Sequence, residues 1–211
     1  FLRDVNLVLK KIYFIIEKLL SFRTEVIAGC GADEKKLGEN FLPIDRTKEL
    51  INVCDDLDST QKYNFPTNKP VIAMVGRIAP QKGFSYFKKV AELVGDYAQF
   101  IWIGGGDSAI TNELKTSNVI VTGWLKRNEV IAALNSVDVY FHTAAWDGFP
   151  ISVLEAAKLK KKMVLRAIGP FIAEGLHTVT TEEDASTELK QIINNVPSAI
   201  DLANKNSTEI E

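Results

Sequence analysis

Cysteine, histidine and methionine are scarce in this 211-residue chain, with two of each. Cys30, Cys54, His142 and His177 are scattered, so no zinc-type ligand cluster is spelled out, and each histidine reads as structural. Two cysteines suggest a reducing compartment and leave room for one disulfide at most. Neither sign of charge dominates: 25 Lys and Arg face 27 Asp and Glu for a net charge of −2. A nucleic-acid-binding surface is therefore not implied. Long apolar runs are missing too. The densest patch in the opening segment, Ile12 to Ile16, is too short to span a bilayer. There is no signal-peptide layout and the first residue is Phe1, which suggests an excised piece of something longer. At 46% hydrophobic residues, disorder is excluded.

What is present allows one large domain, or one domain plus part of another. A chain of this length can bury a core without a metal or disulfide. Leu2, Val5, Leu9, Ile12, Ile16 and Leu19 recur at steps of three and four, the stripe of an amphipathic core helix. A short strand (25–28) and helix (32–37) follow, then a loop. Polar, turn-rich text continues to Pro70 and reads as a linker, residues 51–70. From Val71 short apolar runs alternate with helical patterns: strands at 71–76, 100–103, 119–122, 137–142 and 163–165, helices at 84–94, 110–115, 129–136, 151–160 and 182–195. Near-continuous apolar strands between helices predict an α/β fold, a doubly wound, Rossmann-like parallel sheet covered on both faces. Ligands of such sheets bind beyond the strands' carboxyl ends, so the loops 77–83, 104–109, 123–128, 143–150 and 166–170 matter most.

Three of these loops carry candidate chemistry. Gly76-Arg77-Ile78-Ala79-Pro80-Gln81-Lys82-Gly83 sets two cations between glycines before a helix, which suits a diphosphate or, equally, a solvated surface. Gly104-Gly105-Gly106-Asp107-Ser108-Ala109 resembles a dinucleotide fingerprint, with Glu129 at the spacing of the ribose acid but in a helix. Asp147-Gly148-Phe149-Pro150-Ile151-Ser152-Val153-Leu154-Glu155 places two carboxylates across a helix start. They could hold sugar hydroxyls, with backbone N–H groups of 148–151 facing an anion, or simply complement the helix dipole. Asp56-Leu57-Asp58 has the form of a metal-binding D-x-D pair, but no apolar strand presents it. Lys158, Lys160, Lys161 and Lys162 cluster at a helix end, where complementing the dipole accounts for them.

In order and spacing, residues 50–196 resemble the donor-binding half of a group 1, retaining glycosyl transferase of the GT-B fold. The segments that carry this are Val71 to Gly83, Phe100 to Asp107, Val119 to Trp124, Val137 to Thr143, Asp147 to Glu155 as an E-x7-E element, and Ile168 to Glu174. Asp147 is one methylene shorter than the family's first acid, and Asp55-Asp56 replaces Asn-Gly at the hinge. Residues 1–50 look like the end of the family's N-terminal, acceptor-binding domain. Residues 51–70 would be the hinge, 71–196 the nucleotide-sugar domain and 197–211 a C-terminal helix or tail.

The resemblance implies transfer of a sugar from a nucleoside diphosphate donor with retained anomeric configuration. The acceptor would be a glycan, a lipid-linked sugar or a small molecule. Neither metal nor cofactor is expected. Arg77 and Lys82 would stabilise the leaving diphosphate, Glu155 hold the ribose and Asp147 the transferred sugar. Gly148, Phe149, Pro150 and Ile151 would line the donor site together with Gly76, Gly83 and Gly105, Gly83 letting the helix backbone approach closely. Trp124 and Leu125 would lie near the base. The resemblance also implies a cytoplasmic protein, at the inner face of a membrane if its acceptor is lipid-linked, and a fragment inactive by itself. The readings from other classes are a non-catalytic nucleotide-sugar-binding module and an NAD-binding oxidoreductase built on Gly104–Gly106.

Overall fold

The computed structural model describes residues 6–57, 60–115 and 118–210. The chain divides into two compact units, Phe1–Asn52 and Val53–Glu211. In the first, helix α1 (Leu7–Ser21) starts at Asn6, whose side chain accepts the Leu9 N–H. Strand β1 (Ile27–Gly29), helix α2 (Ala32–Gly38) and strand β2 (Thr47–Glu49) follow, with β1 and β2 parallel. The loop expected before the linker thus ends in a strand. Its Thr-Lys-Glu sequence gave no apolar signal. The expected core stripe of α1 is a second correction: Leu9, Ile12, Ile16 and Leu19 are 41–63% exposed, while Leu2 and Val5 lie outside the described residues. No described helix is long and apolar enough to cross a membrane.

The second unit is built on a five-stranded parallel sheet, β3 (Val71–Val75), β4 (Gln99–Ile103), β5 (Val119–Val121), β6 (Val139–His142) and β7 (Lys162–Leu165). The strand order is β5-β4-β3-β6-β7. The chain therefore begins in the middle, winds outward through β4 and β5, then returns across β3 to β6 and β7. Between β3 and β6 the windings diverge, and their two following loops leave a crevice there. The intervening helices are α3 (Phe84–Val94), α4 (Ser108–Leu114), α5 (Arg127–Asn135) and α6 (Ile151–Lys158). Two sheet-face aromatics, Phe100 and Trp102, meet the α3 residue Phe87 edge-on at 5.3 and 5.2 Å, and all three are fully buried. Burying such a ring contributes about 2–3 kcal/mol, so the helix start carrying Lys82 and Gly83 is anchored from below.

After β7 come α7 (Gly169–Ala173), α8 (Glu182–Ile193) and α9 (Pro197–Ile210). α7 falls where a loop was expected, because its Gly169-Pro170 opening reads as a turn while Pro at a helix start is well tolerated. α9 packs on β7, α6 and α8. Its fully buried Asn206 donates to the Met163 and His177 carbonyls and accepts the His177 N–H.

Part of the expected linker is fastened down. The Tyr63 N–H donates to Ser136 Oγ at 2.7 Å, and Lys62 Nζ to the Asn135 carbonyl at 2.7 Å. Lys161 Nζ reaches the same carbonyl at 2.6 Å, so two cations meet at the negative end of α5. Burial, then Lys62, pushes the Lys161 ammonium down to about 8. This corrects the reading of the lysine cluster. Lys161 serves α5 rather than its own helix, and Lys158 pairs with Asp56 at 2.8 Å. The D-x-D carboxylate Asp56 is thereby engaged, and Asp58 lies outside the described residues. No group of His, Cys, Asp and Glu able to hold a metal occurs among the described residues.

Candidate functional site

The crevice between β3 and β6 is closed at its base by glycine chemistry. After β3, Pro80–Lys82 forms a single tight turn that ends in Gly83 at φ 68°. A Cβ at Gly83 would stand 2.0 Å from the Thr143 carbonyl oxygen, which no side chain tolerates. Only glycine lets the β3–α3 and β6–α6 loops touch there. They are then stitched together. Thr143 Oγ1 donates to the Lys82 carbonyl at 2.9 Å, the Ala145 N–H to the Gln81 carbonyl at 2.9 Å, and Gln81 Nε2 to the Trp146 carbonyl at 3.3 Å. Arg166, just past β7, donates to the Thr143 carbonyl at 3.2 Å and lies 4.2 Å over the Tyr86 ring. Sequence reading missed Arg166, since nothing in its spacing ties it to residue 143.

Two of the residues singled out meet in this crevice. The Lys82 ammonium pairs with the Asp147 carboxylate, and both side chains are largely shielded. The Lys82 stem runs past Gly76, whose missing Cβ would sit 3.6 Å from it. Arg77 points outward, exposed, and makes no ion pair among the described residues. Phe149 packs edge-on against Phe171 at 5.9 Å, holding the loop that leads into α6. Pro150 caps α6 and has no N–H, which corrects the expected row of donors. Among the described residues, the unbonded amides that open α6 come from Ile151 and Ser152 instead.

Glu155 sits apart from this pair. It faces inward from α6 with its side chain 3% exposed, and its carboxylate meets the Arg127 guanidinium at 2.5 Å. That hydrogen bond raises the Arg127 pKa. Arg127 comes from the first turn of α5 and was not predicted. Its side chain is 60% exposed and lines a cleft of about 400 Å³ with Asp55, Asp56, Leu57, Gln61, Asn128 and Ile131. Cys54 is close enough for Glu155 to raise its pKa, second to burial.

The glycine turn after β4 has a different reason from a dinucleotide fingerprint. A Cβ at Gly105 would collide with the Trp124 indole at 2.8 Å, and one at Gly106 with the Ile78 carbonyl at 2.6 Å. The Ile78 N–H donates to the Gly105 carbonyl at 2.8 Å, and Gly104 bridges Gly123. These glycines pack three loops together. Asp107 caps α4, accepting the Ala109 N–H, so a carboxylate occupies the helix end a pyrophosphate would use. Glu129 accepts the Lys126 N–H at 2.8 Å and is committed to its own helix start. The dinucleotide reading has no acid left for a ribose. Trp124 stands 70% exposed on the same rim, with Leu125 half-buried beside it.

Beneath the crevice His142 is fully buried. Burial, then the nearby Lys82 charge, pushes its pKa down to about 3, so it is neutral. Its Nδ1 lies 3.1 Å from the Tyr140 hydroxyl, which meets Ser152 Oγ at 2.9 Å. His177 pairs with Glu188 at 2.8 Å on the far side of the sheet's end.

The family model for glycosyl transferases group 1 matches residues 55–196, more than half the chain and all of the loops just described. The chain belongs to this family. Among curated relatives, an uncharacterized 41.2 kDa protein in the cps region of Klebsiella pneumoniae is 27% identical over 74% of this chain and 46% of its own length. The N,N'-diacetylbacillosaminyl-diphospho-undecaprenol alpha-1,3-N-acetylgalactosaminyltransferase of Campylobacter jejuni is 31% identical over 46% of this chain and 26% of its own. The chain thus spans about half or less of the length of these relatives. Among solved structures, Anabaena Alr3699/HepE in complex with UDP and glucose superposes with a TM-score of 0.75 at 14% identity. That match covers 93% of this chain and 61% of the other. Sucrose-phosphate synthase from Thermosynechococcus elongatus gives 0.70 at 16% identity, over 95% and 56%. At such identities the likeness shows the fold alone: a Rossmann-like α/β parallel sheet of the kind found in GT-B glycosyl transferases.

Proposed function

We propose that this group 1 glycosyl transferase chain binds a nucleoside diphosphate sugar at the β3–β6 crevice, as the donor half of a retaining transferase. The observation that carries this is the pairing of Lys82 with Asp147 across two stitched loops, at the topological switch of a parallel sheet. Breaking the sugar–phosphate bond leaves negative charge on the diphosphate. Lys82, Arg77 and the amides opening α6 are fixed donors where that charge develops. In this reading Lys82 turns from Asp147 to the diphosphate, and Asp147 is released toward the sugar hydroxyls. Arg77 adds its fork from the rim, and Glu155 accepts from the ribose. The exposed Trp124 indole and Leu125 border the base. These side chains supply the charge neutralisation that a divalent ion supplies elsewhere, so the reaction runs without metal or cofactor.

Residues 1–50 are the end of an acceptor domain, 51–70 the hinge, and 197–211 a C-terminal helix or tail. The selecting part of the acceptor site lies in the remainder of that domain, so the chain alone binds donor without turnover. The K. pneumoniae and C. jejuni relatives carry cps-region and diphospho-undecaprenol in their names. They favour a glycan or lipid-linked acceptor for the whole protein, reached from the cytoplasmic side by peripheral association with the membrane.

The test is a thermal-shift comparison with UDP, GDP and ADP. One of them raises the melting temperature of the chain, and Lys82→Ala removes the shift. Absence of any shift with all three, confirmed by calorimetry, rejects the proposal.

A further inference from the structure

Glu155 is a buried carboxylate whose only hydrogen-bonding or ion-pair partner among the described residues is Arg127. A carboxylate with 3% of its side chain exposed needs a partner to compensate for the lost hydration. The other titratable or charged groups around it do little of this. Cys54 and Asp55 from the segment before β3 bring neutral or negative character, and Tyr140 from β6 is a buried neutral phenol. Lys158, one turn on in α6, spends its ammonium on Asp56. Arg127 is also well placed to act on one side of the acid only. It meets the acid at Oε1, while its own outer face lines the open cleft.

We infer that Arg127 is the positioning residue of the nucleotide site: it pins Glu155 Oε1 and so directs the carboxylate toward the ribose of the donor. The inference rests on the proposed role of Glu155 as ribose acceptor. It extends that role by assigning its direction to a residue 28 positions earlier, on another helix. No covalent step is involved. Arg127 acts through Glu155 and not on the substrate.

The experiment is calorimetric titration of the intact chain, first with whichever of UDP, GDP and ADP it binds tightest, then with inorganic pyrophosphate. Wild type, Arg127→Gln, Arg127→Lys, Glu155→Gln and the Arg127→Gln/Glu155→Gln pair are compared. Arg127→Gln is expected to weaken the nucleoside diphosphate about tenfold and leave pyrophosphate unchanged. Arg127→Lys should restore most of the affinity. With Glu155→Gln already present, Arg127→Gln should have little further effect. Equal loss for pyrophosphate, no rescue by Arg127→Lys, or an additive cycle would overturn the assignment. If Arg127→Gln does not fold, Arg127→Lys with and without Glu155→Gln gives the same cycle with a smaller expected loss. Wild type that binds none of the three nucleotides overturns the ribose-site reading itself, whereas wild-type binding with an unaffected Arg127→Gln overturns this inference alone.

Discussion

Asp147 and Glu155 stand eight residues apart on either side of one helix start, and the fold treats them differently. Asp147 is in a loop, paired with a lysine that a second loop brings across the crevice. Both partners sit on long or hinged supports, and the lysine is a single point charge that can change partners. Glu155 is fixed in the second turn of α6, buried, and held by an arginine from α5. One pair is built to exchange its partner and the other to stay. The phosphate and sugar end of the proposed site is thus adaptable, while its ribose end is preset before any donor arrives.

Separating these two ends is the purpose of the predictions. The largest effect is expected from Gly83→Ala. A left-handed backbone and a carbonyl 2.0 Å from the new methyl destabilise the fold by about 3 kcal/mol, read as a lower urea midpoint with unchanged slope. In the folded fraction the Lys82–Asp147 contact is lost while Arg127–Glu155 persists. A change under about 0.5 kcal/mol would show that the two loops are not held in contact. Next, Lys82→Ala should cost about a hundredfold in nucleoside diphosphate affinity, that is, about 2.7 kcal/mol, and as much for pyrophosphate. Glu155→Gln should spare pyrophosphate. Calorimetry with both ligands checks the contrast.

A third prediction concerns pH. His142 has a folded pKa of about 3, below its ordinary 6.5, so the unfolded chain binds more protons between those values. The contribution is complete above pH 6.5 and is lost as pH falls toward 3. By pH 5 it amounts to about 2 kcal/mol. Chemical denaturation at pH 7 and pH 5 measures it, and His142→Phe should flatten the difference. A dependence unchanged in the variant would assign the loss to other groups. The smallest effect is expected from Asp147→Asn on nucleoside diphosphate binding alone. Freeing Lys82 should leave affinity unchanged or raise it up to about threefold, whereas binding of the sugar nucleotide should fall. Equal weakening for both ligands would mean that Asp147 positions Lys82 instead of contacting the sugar.

Much of the second unit was legible because parallel strands write themselves as apolar runs. Helix α3 has its predicted limits and every strand of the large sheet lies within two residues of expectation. Gly83 was legible as a close approach, though not that it approaches the Thr143 carbonyl. β2 and α7 were missed because a polar edge strand and a Gly-Pro helix start both read as turns. The site was legible in its members and not in its pairings. Lys82 and Asp147 were assigned to different parts of a ligand, yet they bind each other. Arg127 gave no signal at all, since its partner lies on another helix and the contact exists only once α5 and α6 pack. Patterns along the chain report what each element buries. Ion pairs between elements depend on the packing itself.

The most direct measurement is hydrogen exchange of the chain with and without saturating nucleoside diphosphate. The account predicts protection in peptides covering 76–84 and 147–155 and in the base-side rim at 123–127, with Lys82→Ala abolishing it in both crevice loops. Protection in 104–109 instead, or none in the two crevice loops, would contradict it.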